Sequence, residues 1–132
     1  MKKALAIIRI SSEDQKYGYG PDSQWEDDIL DNAPELGLEV CKDRRISIEE
    51  SATGWDRIKF TEAISQAVEL YDKGLIEAVV FPRVDRETRL IFSSMPLLAG
   101  MLKAGLQVYF AREKLHLDPS DPEAVSRYLD KV

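Results

Sequence analysis

The chain opens on an apolar run, Ala4-Leu5-Ala6-Ile7-Ile8, that ends at Arg9-Ile10 and gives way to a polar stretch. A short continuous apolar run bounded by polar residues marks a strand buried on both faces, so a first strand is predicted over about Ala4 to Ile10. Residues 11–21 read as a polar loop containing Tyr17-Gly18-Tyr19-Gly20-Pro21. Asp22 or Ser23 then caps a helix to about Leu36, with Trp25, Ile29, Leu30 and Ala33 on its apolar face and Gly37 ending it. A second strand is predicted over Leu38 to Cys41, with Arg44 as its furthest reach, and residues 46–54 read as loop.

A second helix, from Arg57 or Ile58 to Lys73, carries Phe60, Ile64, Ala67, Val68 and Tyr71 at helical spacing and closes at Gly74. Ile76 to Phe81 is a third strand, and residues 82–89 form a charged turn. A third helix is predicted over about Leu90 to Ala104, with Phe92, Met95, Leu98 and Leu102 facing inward. Pro96 leaves its start open, because a proline inside a helix kinks it. Gly105 precedes a fourth strand, Leu106 to Ala111. Strands and helices that alternate with short connections predict an α/β fold, a mostly parallel central sheet flanked by helices on both faces.

A parallel sheet gathers its strands' carboxyl ends on one edge, the usual place for chemistry. The first three ends carry Arg9 with Ser11, then Arg44 and Arg45 through Arg57, then Arg83, Arg86 and Arg89. A hydroxyl beside guanidinium groups suits attack on a phosphate, since arginine offers a rigid fork of donors to anionic oxygens. Arg86 and Arg89 are three residues apart, which makes them neighbours on a helical turn, and two guanidiniums can stabilise a pentacovalent phosphorus. The loop Thr53-Gly54-Trp55-Asp56-Arg57 can bring a further donor. Each motif has a plain alternative: a capped β–α turn at Ser11, a solvated charged turn neutralised by Asp85 and Glu87, and a loop that caps the next helix through Asp56.

Composition narrows the field. With 132 residues, 44% hydrophobic and 32% charged, the chain is expected to be one soluble globular domain with a real core. No apolar run approaches the roughly 20 residues of a membrane helix. The amino terminus lacks a signal-peptide pattern, and one cysteine, Cys41, excludes an internal disulfide and fits a reducing cytoplasm. A net charge of −6 argues against nucleic-acid binding by general electrostatics and leaves room for a local basic site. Residues 121–132 begin as a helix does, with Asp121, Pro122 and Glu123, and stop without a closing signal. The expectation is a domain over residues 1–120, followed by the start of a helix continuing in a longer protein.

Other chemistries find little support. His116 is the only histidine, expected at the surface, so triads of the serine–histidine–aspartate kind lack a base. Cys41 lacks the arginine of a phosphatase loop, since Ser47 sits there, and reads as a buried strand residue. Neither GxGxxG nor GxxxxGK[ST] follows the first strand, and no His/Cys cluster suggests zinc. No metal or cofactor is expected.

Together the three motifs resemble the catalytic domain of the serine recombinases, the resolvase/invertase family. The family's strand ending in Tyr-x-Arg-Val-Ser-[Ser/Thr]-x-x-Gln is similar to Ile7-Ile8-Arg9-Ile10-Ser11-Ser12-Glu13-Asp14-Gln15, with Ile7 in place of the tyrosine. Gln24 sits where the family has a second glutamine, Thr53-Gly54 to Arg57 resembles its Ser-Gly-x-x-x-Arg loop, and Asp85-Arg86-Glu87-Thr88-Arg89 its Asp-Arg-[Leu/Ile]-x-Arg motif. The long serine loop resembles that of the large serine recombinases. Further departures from the pattern are Thr53, which replaces serine but keeps a hydroxyl, the two rather than three residues between Gly54 and Arg57, and Glu87, which replaces an apolar residue.

The resemblance implies a resolvase-like fold and DNA cleavage by Ser11 through a 5′-phosphoserine intermediate, followed by strand exchange and rejoining. It implies that Arg9, Arg86 and Arg89 neutralise the phosphate, that Arg57 assists, and that Asp85 orients an arginine or moves a proton. Ser12, Gln15, Gln24 and Thr53 would support the loop or contact DNA. It further implies DNA as partner, dimers pairing into tetramers in the full-length protein, and DNA-binding regions beyond this domain, without which it is expected to be inactive. A non-catalytic relative, suggested by Glu87, is the chief alternative. A receiver-like signalling module lacks its acidic pair, and a small-molecule phosphoesterase remains separable by turnover of a chromogenic phosphate ester.

Overall fold

The computed structural model describes residues 1–10, 23–51, 54–55, 57–84, 97–121, 123–124, 126 and 128, with the backbone alone at residues 9–10, 41–44, 49–51, 54–55 and 57. One six-stranded sheet runs through them in the order β3-β2-β1-β4-β5-β6. Its strands are β1 (Lys2–Ile10), β2 (Leu38–Ser51), β3 (Gly54–Trp55), β4 (Ala78–Phe81), β5 (Gln107–Phe110) and β6 (Leu115–Leu117). The inner four, β2-β1-β4-β5, are parallel, and the short outer strands β3 and β6 pair antiparallel. The mostly parallel α/β sheet read from the sequence is the fold observed.

The apolar run of β1 divides between two cores as strand alternation requires. Ala4, Ala6 and Ile8 pack with Trp25, Ile29 and Ala33 of the first helical segment, α1, on one face. This segment is a π-helix, Gln24–Leu30, continuing as an α-helix, Asp31–Leu36. Leu5 and Ile7 face the other way, toward α2 (Arg57–Asp72) and α3 (Leu97–Ala104). There Phe60, Phe81, Phe110 and Tyr128 form a run of stacked rings, with successive centroids 6.2, 5.4 and 5.0 Å apart. Phe81 and Phe110 are the last residues of β4 and β5, so the stack anchors the carboxyl ends of both strands. Ala124 and Tyr128, in the segment expected to open a further helix, are buried in the same core.

Several expectations need correction. The second strand does not stop near Cys41 but reaches Ser51, so residues 46–51 are strand rather than loop. Its pairing with β1 jumps from Ala4↔Val40 to Ala6↔Arg45: β2 advances five residues while β1 advances two. Such a bulge interrupts the alternation by which a strand is recognised. Beyond it, polar residues such as exposed Ser47 are tolerated because, among the described residues, the outer side of β2 is paired only at Glu50 and Ser51, with β3. Trp25, Ile29 and Ala33 are buried as expected, but Leu30 is 39% exposed. Ser23 is already helical, φ −64° and ψ −41°, and makes no side-chain cap. β4 and β5 are shorter at their starts than predicted, and β6 was not foreseen. Gly37 ends α1 in the left-handed conformation, φ 72°, with its N–H donated to Ala33 and Pro34. Asp22, Phe92, Met95 and Pro96 lie outside the described residues, as does the side chain of Cys41.

Candidate active site at the carboxyl edge of the sheet

β1 is central, with β2 on one side and β4 on the other. Its pairing with β4 ends at Ala6↔Val80, whereas pairing with β2 continues through Arg9↔Ile48 to Ile10↔Glu49. The end of β1 therefore outruns β4 along the sheet. Ser11 is the next residue in the chain. Ser11, Ser12, Gln15, Thr53, Asp85, Arg86 and Arg89 lie outside the described residues, and of Arg9 and Arg57 only the backbone is described.

What is described is the frame from which these residues depart. Arg9 is the penultimate residue of β1, and Arg57 opens α2 just after the β2–β3 hairpin, where Glu50 pairs with Trp55 and Ser51 with Gly54. The arginine-bearing motif starts three residues past Pro82: Phe81 ends β4, Pro82 is buried, and Arg83 and Val84 are half-buried before Asp85. Three connections thus leave one edge of a parallel sheet, the arrangement in which separate segments can supply one anion site. Arg45, grouped with the strand-end arginines from the sequence, is instead in mid-strand opposite Ala6, its guanidinium 5.3 Å from the Trp25 ring centroid.

Among the residues to which the resemblance gives a role in the site, Gln24 is the one whose side chain is described, and it is fully buried at the start of the π-helix. Four residues on, the carboxylate of Asp28 is also buried, at 3% exposure, with the Nε of Arg112 3.7 Å from its Oδ1. These two are the buried polar residues among those described. A polar group is buried stably only when bonded or paired, so their burial in the first turns of α1 is a built feature. π-turns are rare and recur at functional sites. The Nδ2 of Asn32 donates to the Asp28 carbonyl at 2.7 Å and supports the same turn.

The turn after β5 completes the frame. The N–H of Ala111 donates to the Phe81 carbonyl and that of Arg112 to the Pro82 carbonyl, each at 2.9 Å. The N–H of Val84 donates to Oε1 of Glu113 at 2.9 Å. Asp28, Arg112 and Glu113 were missed in the sequence. The signal for Asp28 was present: Gln24 and Asp28 flank Trp25 and Ile29 at matching spacing, placing both near the buried stripe. Nothing local marks Arg112 and Glu113, whose partners lie far along the chain.

At the opposite, antiparallel edge, His116 is exposed and stacks on Tyr109, with centroids 4.3 Å apart. Partial burial, then the charge of Lys2, lowers its pKa below the ordinary value, and Asp118 opposes them. It lies on β6, paired with Tyr109 of β5. Among the described residues no group of His, Cys, Asp and Glu suits a metal ion, and no helix is long and apolar enough to cross a membrane.

Residues 4–129 match the family described as the resolvase N-terminal domain. The fold is similar to the crystal structure of a resolvase family site-specific recombinase from Streptococcus pneumoniae, with a TM-score of 0.60 and 15% identity over 99% of this chain and 85% of that one. No curated protein matches the chain.

Proposed function

The chain belongs to the resolvase N-terminal domain family and is a serine site-specific recombinase catalytic domain, and from that premise we propose that Ser11 is its nucleophile. The observation that carries the assignment is positional: Ser11 follows directly on Ile10, the last residue of the central strand, at the edge where β4 leads into Asp85, Arg86 and Arg89. The Ser11 hydroxyl oxygen attacks a DNA phosphorus, the bond from phosphorus to O3′ breaks, and the 3′ oxygen takes a proton. The product is a 5′-phosphoserine link and a free 3′-hydroxyl. A 3′-hydroxyl of the recombined strand then attacks the same phosphorus and releases the serine, so the covalent link conserves the phosphodiester without an external energy source.

Arg9, Arg86 and Arg89 bind the phosphate and the charge that grows on its oxygens, and Arg57 assists from the start of α2. Clustered guanidiniums also favour ionisation of the serine, so no histidine is required. Gln15 and Gln24 orient the serine loop, and the burial of Gln24 supports its part in this. Ser12 and Thr53 serve loop and backbone contacts. Asp85 orients an arginine or passes a proton to the leaving oxygen. The chemistry uses no cofactor.

The family connection suggests DNA binding and oligomeric assembly. The finer reading is a dimer that pairs into a tetramer on DNA in the cytoplasm, with the catalytic domain over residues 1–120 and residues 121–132 opening a helix. The test is covalent trapping. The recombinase is incubated with duplex DNA spanning the ends of the element that carries its gene and quenched in detergent. A protein–DNA adduct that Ser11→Ala abolishes supports the reading. An intact protein that binds this DNA and yields no adduct replaces it with a non-catalytic role.

A further inference from the structure

We propose that the turn after β5, residues 111–114, is a positioning clamp that fixes the exit from β4, which leads into the arginine-bearing motif, relative to α1, which follows the serine loop in the chain. The inference rests on the assignment of Ser11, Arg86 and Arg89 above and adds residues that their motifs do not contain. The turn grips the exit from β4 at three successive points. Ala111 N–H bonds the Phe81 carbonyl, Arg112 N–H bonds the Pro82 carbonyl, and the Glu113 carboxylate accepts the Val84 N–H. Val84 is the residue directly before Asp85, so the last grip falls one residue from the Asp85-Arg86-Glu87-Thr88-Arg89 motif.

The same turn holds α1 through side chains. Arg112 reaches the buried carboxylate of Asp28 at 3.7 Å, and the Nζ of Lys114 lies 2.6 Å from Oε2 of Glu35. Asp28 is one helical turn beyond buried Gln24, where the chain returns from residues 11–22. Lys114 adopts a left-handed φ of 54°, unusual for a side-chain-bearing residue, and its N–H donates to the Ala111 carbonyl, closing the turn at 3.1 Å. Such backbone persists where its surroundings over-determine it. Here one short turn presents two cations to α1 and, to the β4 exit, the Glu113 carboxylate and the N–H groups of Ala111 and Arg112.

The division of labour follows from the bond types. Backbone bonds to Phe81 and Pro82 continue the sheet and would form with almost any sequence. The bond from Val84 to Glu113 depends on a side chain, as does the ion pair of Arg112 with Asp28. Glu113 and Arg112 are therefore positioning residues. A nucleophile and its phosphate-binding arginines must hold their relative geometry to within fractions of an ångström for the attack to be in line. A carboxylate accepting an N–H fixes an exit angle more tightly than water at the same place.

The test uses the isotope-labelled 132-residue chain for nuclear magnetic resonance and the trapping assay for chemistry. In Glu113→Ala, amide exchange at Val84 is expected to accelerate on the order of tenfold, as for loss of a charge-assisted hydrogen bond, and the resonances of residues 85–89 to move. Glu113→Gln, which keeps an acceptor oxygen, restores both. In the trapping assay Glu113→Ala slows adduct formation on bound DNA while DNA affinity stays at the wild-type level, and Glu113→Gln recovers the rate. A folded Glu113→Ala protein with unchanged Val84 exchange, or one that forms adduct at the wild-type rate, overturns the clamp. Failure of the wild type to form an adduct counts against the Ser11 assignment, and the exchange measurement still decides whether Glu113 holds the segment.

Discussion

At the scale of single residues, the chemistry turns on what an arginine can do that other cations cannot. A guanidinium presents paired donors in a plane and stays charged throughout the working pH range, so it can follow a phosphate from tetrahedral to pentacovalent geometry. Arg86→Ala is accordingly expected to slow adduct formation by about two to three orders of magnitude, as loss of a transition-state donor does elsewhere. Arg86→Lys should recover little, because a point charge does not reproduce the fork; single-turnover trapping at saturating protein measures both. This reading was legible in the sequence because Arg86, Arg89 and Ser11 sit in local motifs. Arg112 and Glu113 were not, because their partners are distant in the chain and each alone looks like an ordinary surface charge.

His116 makes a separate prediction at this scale. Its folded-state pKa lies below the ordinary 6.5 because partial burial against Tyr109 and the nearby Lys2 charge disfavour the imidazolium. Above 6.5 both folded and unfolded chains carry it neutral. As the pH falls below 6.5 the unfolded chain takes up the proton first, so stability declines until the folded-state pKa is reached, then levels off. Denaturant unfolding between pH 7.5 and about 5 should show this slope, and His116→Gln should flatten it. A wild-type slope of the opposite sign would contradict the assignment.

At the scale of elements, the strands with continuous apolar runs were read correctly because burial on both faces leaves one pattern. β1, β4 and β5 are of this kind. β2 was cut short because a bulge and an outer position remove the two cues on which recognition depends. The π-helix was read as ordinary helix: its buried positions, Gln24, Trp25, Asp28 and Ile29, fit either winding as letters. Gly105, in the turn between α3 and β5, offers a sharper test of packing against α2. It has φ +106°, and a Cβ there would stand 2.5 Å from the hydroxyl oxygen of Tyr71 and 2.9 Å from its Cζ. Gly105→Ala should lower stability by about 1–3 kcal/mol through backbone strain and displacement of Tyr71. Thermal unfolding reads this directly, and an unchanged midpoint would mean that the turn relaxes freely.

At the scale of the whole molecule, sheet order is what would let the separated motifs serve the proposed reaction. Placing β1 between β2 and β4 brings the chain after Ile10, the hairpin before Arg57 and the exit toward Arg86 to one edge. The sequence made this convergence legible through the rule that parallel strands share a carboxyl edge. It did not reveal how the edge is held, which lies in contacts between the turn after β5, α1 and the β4 exit. On the proposed assignment, a net charge of −6 leaves this domain's DNA affinity to Arg9, Arg57, Arg86 and Arg89. Binding in this domain should therefore weaken steeply with added salt when measured at the active site.

The central claim is that Ser11 becomes bonded to DNA, and peptide mass spectrometry of the trapped adduct tests it most directly. After nuclease and protease digestion, the account predicts a nucleotide phosphate on Ser11, within the peptide that also contains Arg9 or begins after it. The same mass shift on Ser12, on Thr53 or on no residue of an adduct-forming protein would contradict it.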